Sequence, residues 1–328
     1  LGKISRADQL QAVAQRADAV HQPVHPGQTA EHHQQQDDQR RAHRQPALAG
    51  GGAVGIGRHQ ADYLVHIFEN LLGVRGQTTQ FGLRGAASGL RPYDSLLDLY
   101  EPGMRSGRLD QLFGELKSWL PELIHQVSEQ QQHETVMMPQ GPFPTEQQSA
   151  LGRQVMQLLG FDFNRGRQDV SIHPFCGGVP SDVRITTRFD EADFTQSLMG
   201  IIHETGHARY EQGLPLATLA LPVGQARSMG IHESQSLFFE MQLARHPAFM
   251  ELLEPRIRQV FGEQPAFAAA NLAGLYTRVE PGFIRVDADE VTYPAHVMLR
   301  YEIEQKLIEG QIEPEAIPEL WDLRMKAY

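Results

Sequence analysis

The chain has 328 residues, 41% of them hydrophobic and 21% charged, enough to bury a core as one large domain or two ordinary ones. A single cysteine excludes a disulfide framework and any cysteine-rich zinc finger, and a net charge of −11 argues against a general nucleic-acid binder. No apolar run of about 18 residues occurs and residues 1–5 lack a signal-peptide core, so the expectation is a cytoplasmic protein with no membrane role.

Residues 1–90 stand apart. They hold 7 of the 15 histidines and 13 glutamines, with nine basic against seven acidic residues, whereas the remainder has 20 against 33. Residues 32–41 contain no apolar side chain, so no core-facing element of either period fits them. The glycine-rich stretch 50–57 has no strand before it and no Lys-Ser/Thr after it, which argues against a phosphate loop. The segment reads as atypical and low in complexity, either disordered or a mistranslation from another frame or strand. Its histidines (His21, His25, His32, His33, His43) have no periodic scaffold to make a metal site. A start at Leu1 without a methionine suggests a fragment or a misassigned start.

From Pro92 the chain reads as ordered. Residues 107–127 place Leu109, Leu112, Phe113, Leu116, Leu120, Leu123, Ile124 and Val127 at the spacing of one helix. Pro144-Thr145-Glu146 marks another helix start. Residues 170–173 and 183–189 read as two strands of a hairpin. Helices are expected over 191–212, 228–245, 247–262, 265–278, 289–309 and 313–327. The fold expected for 91–328 is therefore mainly α, a multi-helix body with a small β-hairpin or short sheet.

The informative segment is His203-Glu204-Thr205-Gly206-His207, a His-Glu-x-x-His pattern. Histidines at i and i+4 share one helix face and reach one zinc ion, while Glu204, about 100° round the helix, approaches a metal-activated water without being a ligand. Asp190 is a candidate cap for this helix and Gly213 its stop. A catalytic zinc needs a third protein ligand. Glu233, 26 residues beyond His207, opens the next strong helix, whose Leu237, Phe238, Met241 and Leu243 would pack on the motif helix. His232 is the rival; two histidines and a glutamate form an established catalytic set, which favours Glu233. Zinc makes its water acidic and polarises a carbonyl, and Glu204 would move the proton from water to leaving amine, which amounts to amide hydrolysis.

Taken together, His203–His207 with Tyr210-Glu211-Gln212-Gly213, and His232-Glu233-Ser234-Gln235-Ser236, resemble the carboxypeptidase Taq family of zinc metallocarboxypeptidases. His173-Pro174-Phe175, Asp182-Val183-Arg184-Ile185-Thr186 and Ile284-Arg285-Val286-Asp287-Ala288-Asp289 are similar to three further family motifs, in order. The resemblance implies a helical fold with a deep groove, one zinc per chain (or cobalt or manganese), and a homodimer. It implies His203, His207 and Glu233 as ligands, Glu204 as general base, and removal of residues from the free C-termini of peptides. It covers about residues 92–328. The family's N-terminal helices are not recognisable in 1–90, nor is its Gln-Asp-x-His-Trp motif found, so a C-terminally truncated catalytic domain is expected.

A carboxypeptidase must hold a free carboxylate, which arginine does bidentately. Arg285 and Arg184 are the candidates, with ion pairs to Asp287 and Asp182 as the structural alternatives. His173 is a candidate donor to substrate or oxyanion, or else a structural turn residue. Asp289 reads as a helix cap. Two rival functions remain: a catalytically inactive zinc-binding protein of the same lineage, and a zinc aminopeptidase, against which the arginine motifs argue.

Overall fold

Proline sets much of the helical frame. In this computed structural model, which describes residues 89–326, helices α1 (Pro92–Tyr100), α3 (Leu120–Gln130), α7 (Pro247–Phe261), α9 (Tyr293–Ile308) and α10 (Ile317–Met325) each carry a proline in the first turn. The missing N–H costs nothing there, because first-turn amides have no intrahelical acceptor. The readings made for residues 1–88 lie outside the described residues.

The same rule corrects two expectations. Residues 107–127 are not one helix: α2 (Ser106–Lys117) ends, and α3 restarts at Leu120 with Pro121 in its first turn. A proline inside a helix loses one bond and crowds the carbonyl four residues back; α7 tolerates this at Pro255, whereas the chain breaks before Pro121. The helix expected from 289 likewise begins only at Tyr293, ahead of Pro294. The carboxylate of Asp289 organises the turn before it, accepting from the amides of Val291 and Thr292 (both 2.9 Å) and from the Thr292 hydroxyl (2.7 Å).

The sheet differs from a plain hairpin. Strands β1 (Gly166–Val170), β2 (Phe175–Val179) and β3 (Asp182–Thr187) lie in the order β1-β3-β2. β3 pairs parallel with β1 and antiparallel with β2, so the hairpin is β2–β3 and not 170–173 with 183–189. Gly178, at a φ of 101°, supplies the left-handed backbone next to the tight β2–β3 connection. Val183 and Ile185 on β3 point to the buried side and pack with Met156, Phe161, Ile201 and Ala208.

Ile201 and Ala208 belong to α5 (Thr195–Gly213), the central helix. On its other sides Leu198, Met199 and Ile202 join Leu151 and Val155 of α4 (Thr145–Leu158) and Phe249, Met250, Leu253 and Ile257 of α7. α8 (Ala269–Tyr276) closes this core through Leu272 and Tyr276. A helix with apolar contacts on several faces belongs inside the body, and its polar positions then stand out as functional. α5 starts at Thr195, four residues later than expected. Its start is organised by Asp193, which accepts from the Thr195 amide (2.8 Å) and hydroxyl (2.6 Å); Asp190 accepts from Ala192 (2.8 Å) in the preceding turn instead. α5 ends at Gly213, as read from the sequence. A separate cluster ties α9 to α10 through Leu299, Ile303, Leu307, Ile317 and Trp321.

The expected helix 228–245 is divided. α6 (Met229–Leu237) runs into a π-helical turn, Phe238–Leu243. The wider turn changes which side chains face α5: Phe239 and Leu243 pack into the core, while Phe238 is 49% exposed. Such a turn inside a helix recurs at functional sites, and this one carries Glu240.

Candidate metal centre

α5 presents His203, His207 and Glu211 at i, i+4 and i+8, a single polar stripe on an otherwise packed helix. α6 lies close against it. A β-carbon on Gly206 would meet the Ser236 α-carbon at 2.6 Å and the Gln235 carbonyl oxygen at 3.0 Å, so glycine is what lets the two backbones approach. Ser228 starts α6, its hydroxyl accepting from the Ile231 amide (3.2 Å). The second turn of α6 then delivers Glu233 to the histidines.

The sequence-predicted triad comes together. Glu233 Oε2 lies 3.1 Å from His207 Nε2 and 3.8 Å from His203 Nε2. One ligand atom from each of the three residues falls within 4.8 Å of the others. Two imidazole nitrogens and one carboxylate on half-buried side chains suit a divalent metal held by three protein groups with a position left for substrate. Burial alone would raise the Glu233 carboxyl, but the His207 hydrogen bond and the nearby His203 outweigh it and hold it down at about 2. It is therefore ready as an anionic ligand.

Both histidines are held from behind, by residues the sequence reading did not assign. His203 Nδ1 is 2.8 Å from Glu240 Oε2. Arg245, itself 8% exposed, donates to Glu240 Oε1 (3.2 Å) and to the Tyr276 carbonyl (3.2 Å). Burial disfavours a charged His203 ring, yet its bond to Glu240 and the surrounding carboxylates raise its pKa. Behind His207, its Nδ1 lies 2.6 Å from His232 Nδ1, and His232 Nε2 lies 2.9 Å from Glu211 Oε1. The i+4 spacing of Glu211 was visible in the sequence; Glu240 was not, because the π turn breaks the helical count.

Glu204 sits between the stripe and the core, 7% exposed. Burial, with Glu233 and Glu240 nearby, pushes its carboxyl up to about 7 against the opposing pull of His203. Cys176 on β2 is inert: burial, reinforced by Glu204 and Glu211, pushes its thiol up to about 12.

The candidate substrate residues diverge. Arg285 Nη1 donates to the Tyr293 hydroxyl (2.8 Å), which in turn faces Glu233 Oε1 at 3.4 Å. Arg285 is thus one side chain removed from the triad, and Tyr293 is a site residue whose role the sequence reading missed. Arg184 is exposed on β3 and pairs with Asp182 through Nη2 (2.5 Å) and Nε (3.1 Å), the alternative weighed for it above. His173 is exposed between β1 and β2, where its carbonyl accepts from the Thr186 hydroxyl (2.9 Å).

A helical body built round a His-Glu-x-x-His helix, with a glutamate from the next helix completing the triad, defines a metallopeptidase-type protein. The profile of the carboxypeptidase Taq (M32) metallopeptidase family matches residues 3–328, and the chain belongs to that family. The match takes in most of the segment that the sequence reading set apart. The chain is 40% identical over 239 residues to carboxypeptidase 1 of Bacillus subtilis, covering 72% of this chain and 48% of that protein. It is 41% identical over 230 residues to thermostable carboxypeptidase 1 of Thermus thermophilus, covering 70% and 45%. Among solved structures, metallocarboxypeptidase 1 of Trypanosoma cruzi matches with a TM-score of 0.74 and 50% identity, over 83% of this chain and 55% of that one. The chain therefore spans about half the length of the curated relatives it matches. No described helix is long and apolar enough to cross a membrane.

Proposed function

We propose that this chain carries the catalytic centre of a zinc metallocarboxypeptidase that hydrolyses the C-terminal peptide bond of peptides. The observation that carries the reading is the convergence of His203, His207 and Glu233 beside a buried glutamate whose carboxyl titrates at about 7. Nε2 of each histidine and a Glu233 oxygen would hold the ion. When bound, zinc polarises the scissile carbonyl and makes a water acidic enough to attack it.

Glu204 takes the proton from that water on its carboxylate. The new C–O bond forms at the carbonyl carbon, the C–N bond breaks, and Glu204 returns the proton to the leaving amine nitrogen. Burial, which pushes the carboxyl up to about 7, makes it the stronger base that the first step needs. The Tyr293 hydroxyl, oriented by Arg285, adds a donor next to the triad. Arg285 is the group best placed to take the terminal carboxylate of the substrate, since its guanidinium lies within one side chain of Glu233. A homodimer in the cytoplasm completes the reading by family resemblance.

The test is digestion of a peptide blocked at its N-terminus, with the free acid and the C-terminal amide compared by mass spectrometry. Stepwise loss of C-terminal residues from the acid alone, absent in Glu204→Gln, is the expected result. Cleavage of an unblocked peptide from its N-terminus would instead establish an aminopeptidase. Stoichiometric zinc without any cleavage would leave a zinc-binding protein without catalysis.

A further inference from the structure

We propose that Glu211 and His232 form a positioning relay that holds the His207 ring by its Nδ1 and aims its Nε2 at the metal position. The inference rests on the reading of His203, His207 and Glu233 as metal ligands, and deepens it.

The proton pattern follows from the hydrogen bonds. A carboxylate accepts and does not donate, so at the 2.9 Å contact with Glu211 the proton belongs to His232 Nε2. By the same rule the 3.1 Å contact of His207 Nε2 with Glu233 Oε2 is a donation from the ring in the metal-free chain. A metal ion taken up at Nε2 would displace that proton and leave Nδ1, 2.6 Å from His232 Nδ1, as the proton-bearing side of the His207 ring. The chain of Glu211, His232 and His207 thus holds the ring by its far nitrogen and aims Nε2 at the place where the ligand atoms meet. The ring of Tyr210, edge-on to His232 with centroids 4.8 Å apart, packs against the middle member.

His232 itself lies outside the group of ligand atoms that meet, its two nitrogens turned to His207 and Glu211. The two ligand histidines are thus set by different devices. His203 is held by a carboxylate directly, and His207 by a carboxylate acting through a second imidazole. The relay also joins both helices, because Glu211 and His207 stand on α5 and His232 on α6.

Two measurements on the full chain test the relay. In the zinc-loaded protein, proton NMR should show the His207 Nδ1 proton shifted far downfield by its short bond to His232, and His232→Leu should lose that shift. Zinc affinity, read by competition with a chromophoric chelator, should fall about 10- to 100-fold in His232→Leu and in Glu211→Leu, the usual range for losing such a supporting bond. Glu211→Gln keeps an acceptor and should stay within about threefold of the parent. The double variant should be no worse than His232→Leu alone, since Glu211 acts through His232. Glu211→Leu, on a half-exposed position, keeps the test open if His232→Leu fails to fold. Unchanged affinity in folded single variants, additive losses, or a His207 Nδ1 proton insensitive to His232 would overturn the relay. Absence of zinc binding in the parent chain would overturn the metal reading, and the relay with it.

Discussion

Gly206 of the motif helix faces the backbone of Ser236 so closely that a β-carbon would come within 2.6 Å of the Ser236 α-carbon. The approach brings Glu233, three residues before Ser236, to the two histidines. Gly206→Ala should force α5 and α6 apart at a cost of about 1–3 kcal/mol, the usual range for overpacking a filled core. A lower midpoint in thermal melts, together with weaker zinc binding in the same variant, is the expected outcome. An unchanged midpoint would show that the helices separate freely.

Arg245 should be among the most sensitive positions outside the triad. It is buried, and pairs with the Glu240 carboxylate that holds His203. Arg245→Met leaves that charge in the interior without its partner, at a cost of about 3–5 kcal/mol. Urea denaturation measures this directly. Adding Glu240→Gln should recover part of the loss, because the stranded charge is then gone.

His296 predicts an acid limit on stability. The ring is 2% exposed, and burial, aided by the positive charge of Arg300, pushes its pKa down to about 4. In the unfolded chain it titrates near the ordinary histidine value of about 6.5. Between these values the unfolded state binds more protons, so stability is intact above about 6.5 and falls as pH drops toward 4, by about 3 kcal/mol in all. Melting curves of the parent and of His296→Phe across this window should diverge, with the variant flatter. Parallel curves would show that His296 does not control the acid limb.

Arg285 should separate substrate binding from proton transfer. Arg285→Gln removes a charged partner for a terminal carboxylate, so kcat/KM on free-acid peptides should fall at least about 100-fold, mostly through KM. Peptide amides should stay uncut by parent and variant alike. A loss confined to kcat would reassign Arg285 to the support of Tyr293, to which it donates.

Much of this protein was legible in its sequence where physics is local. Helix phase followed from the apolar spacing, and first-turn prolines marked several helix starts, while Pro255 lies inside α7. The His203–His207 spacing put two imidazoles on one face, because a helix turn is short and rigid. Gly213 ended α5 as expected. The differences are local as well: Asp193, not Asp190, takes the Thr195 amide at the start of α5, and Pro121 marks a break between α2 and α3.

What only the tertiary structure decided is which distant groups meet. The parallel pairing of β1 with β3 depends on a connection that no strand pattern encodes. Glu240 reaches His203 from the π turn, which shifts the helical phase, and Arg245 is anchored beside it by the Tyr276 carbonyl of α8. The sequence determined the motif, the ligand types and the helices that carry them, since these depend on neighbours a few residues apart. The charge state of Glu204, the pairing of Arg285 with Tyr293, and the two supports behind the histidines required the folded chain. Burial and hydrogen-bond partners are properties of packing, and packing joins residues that the sequence leaves far apart.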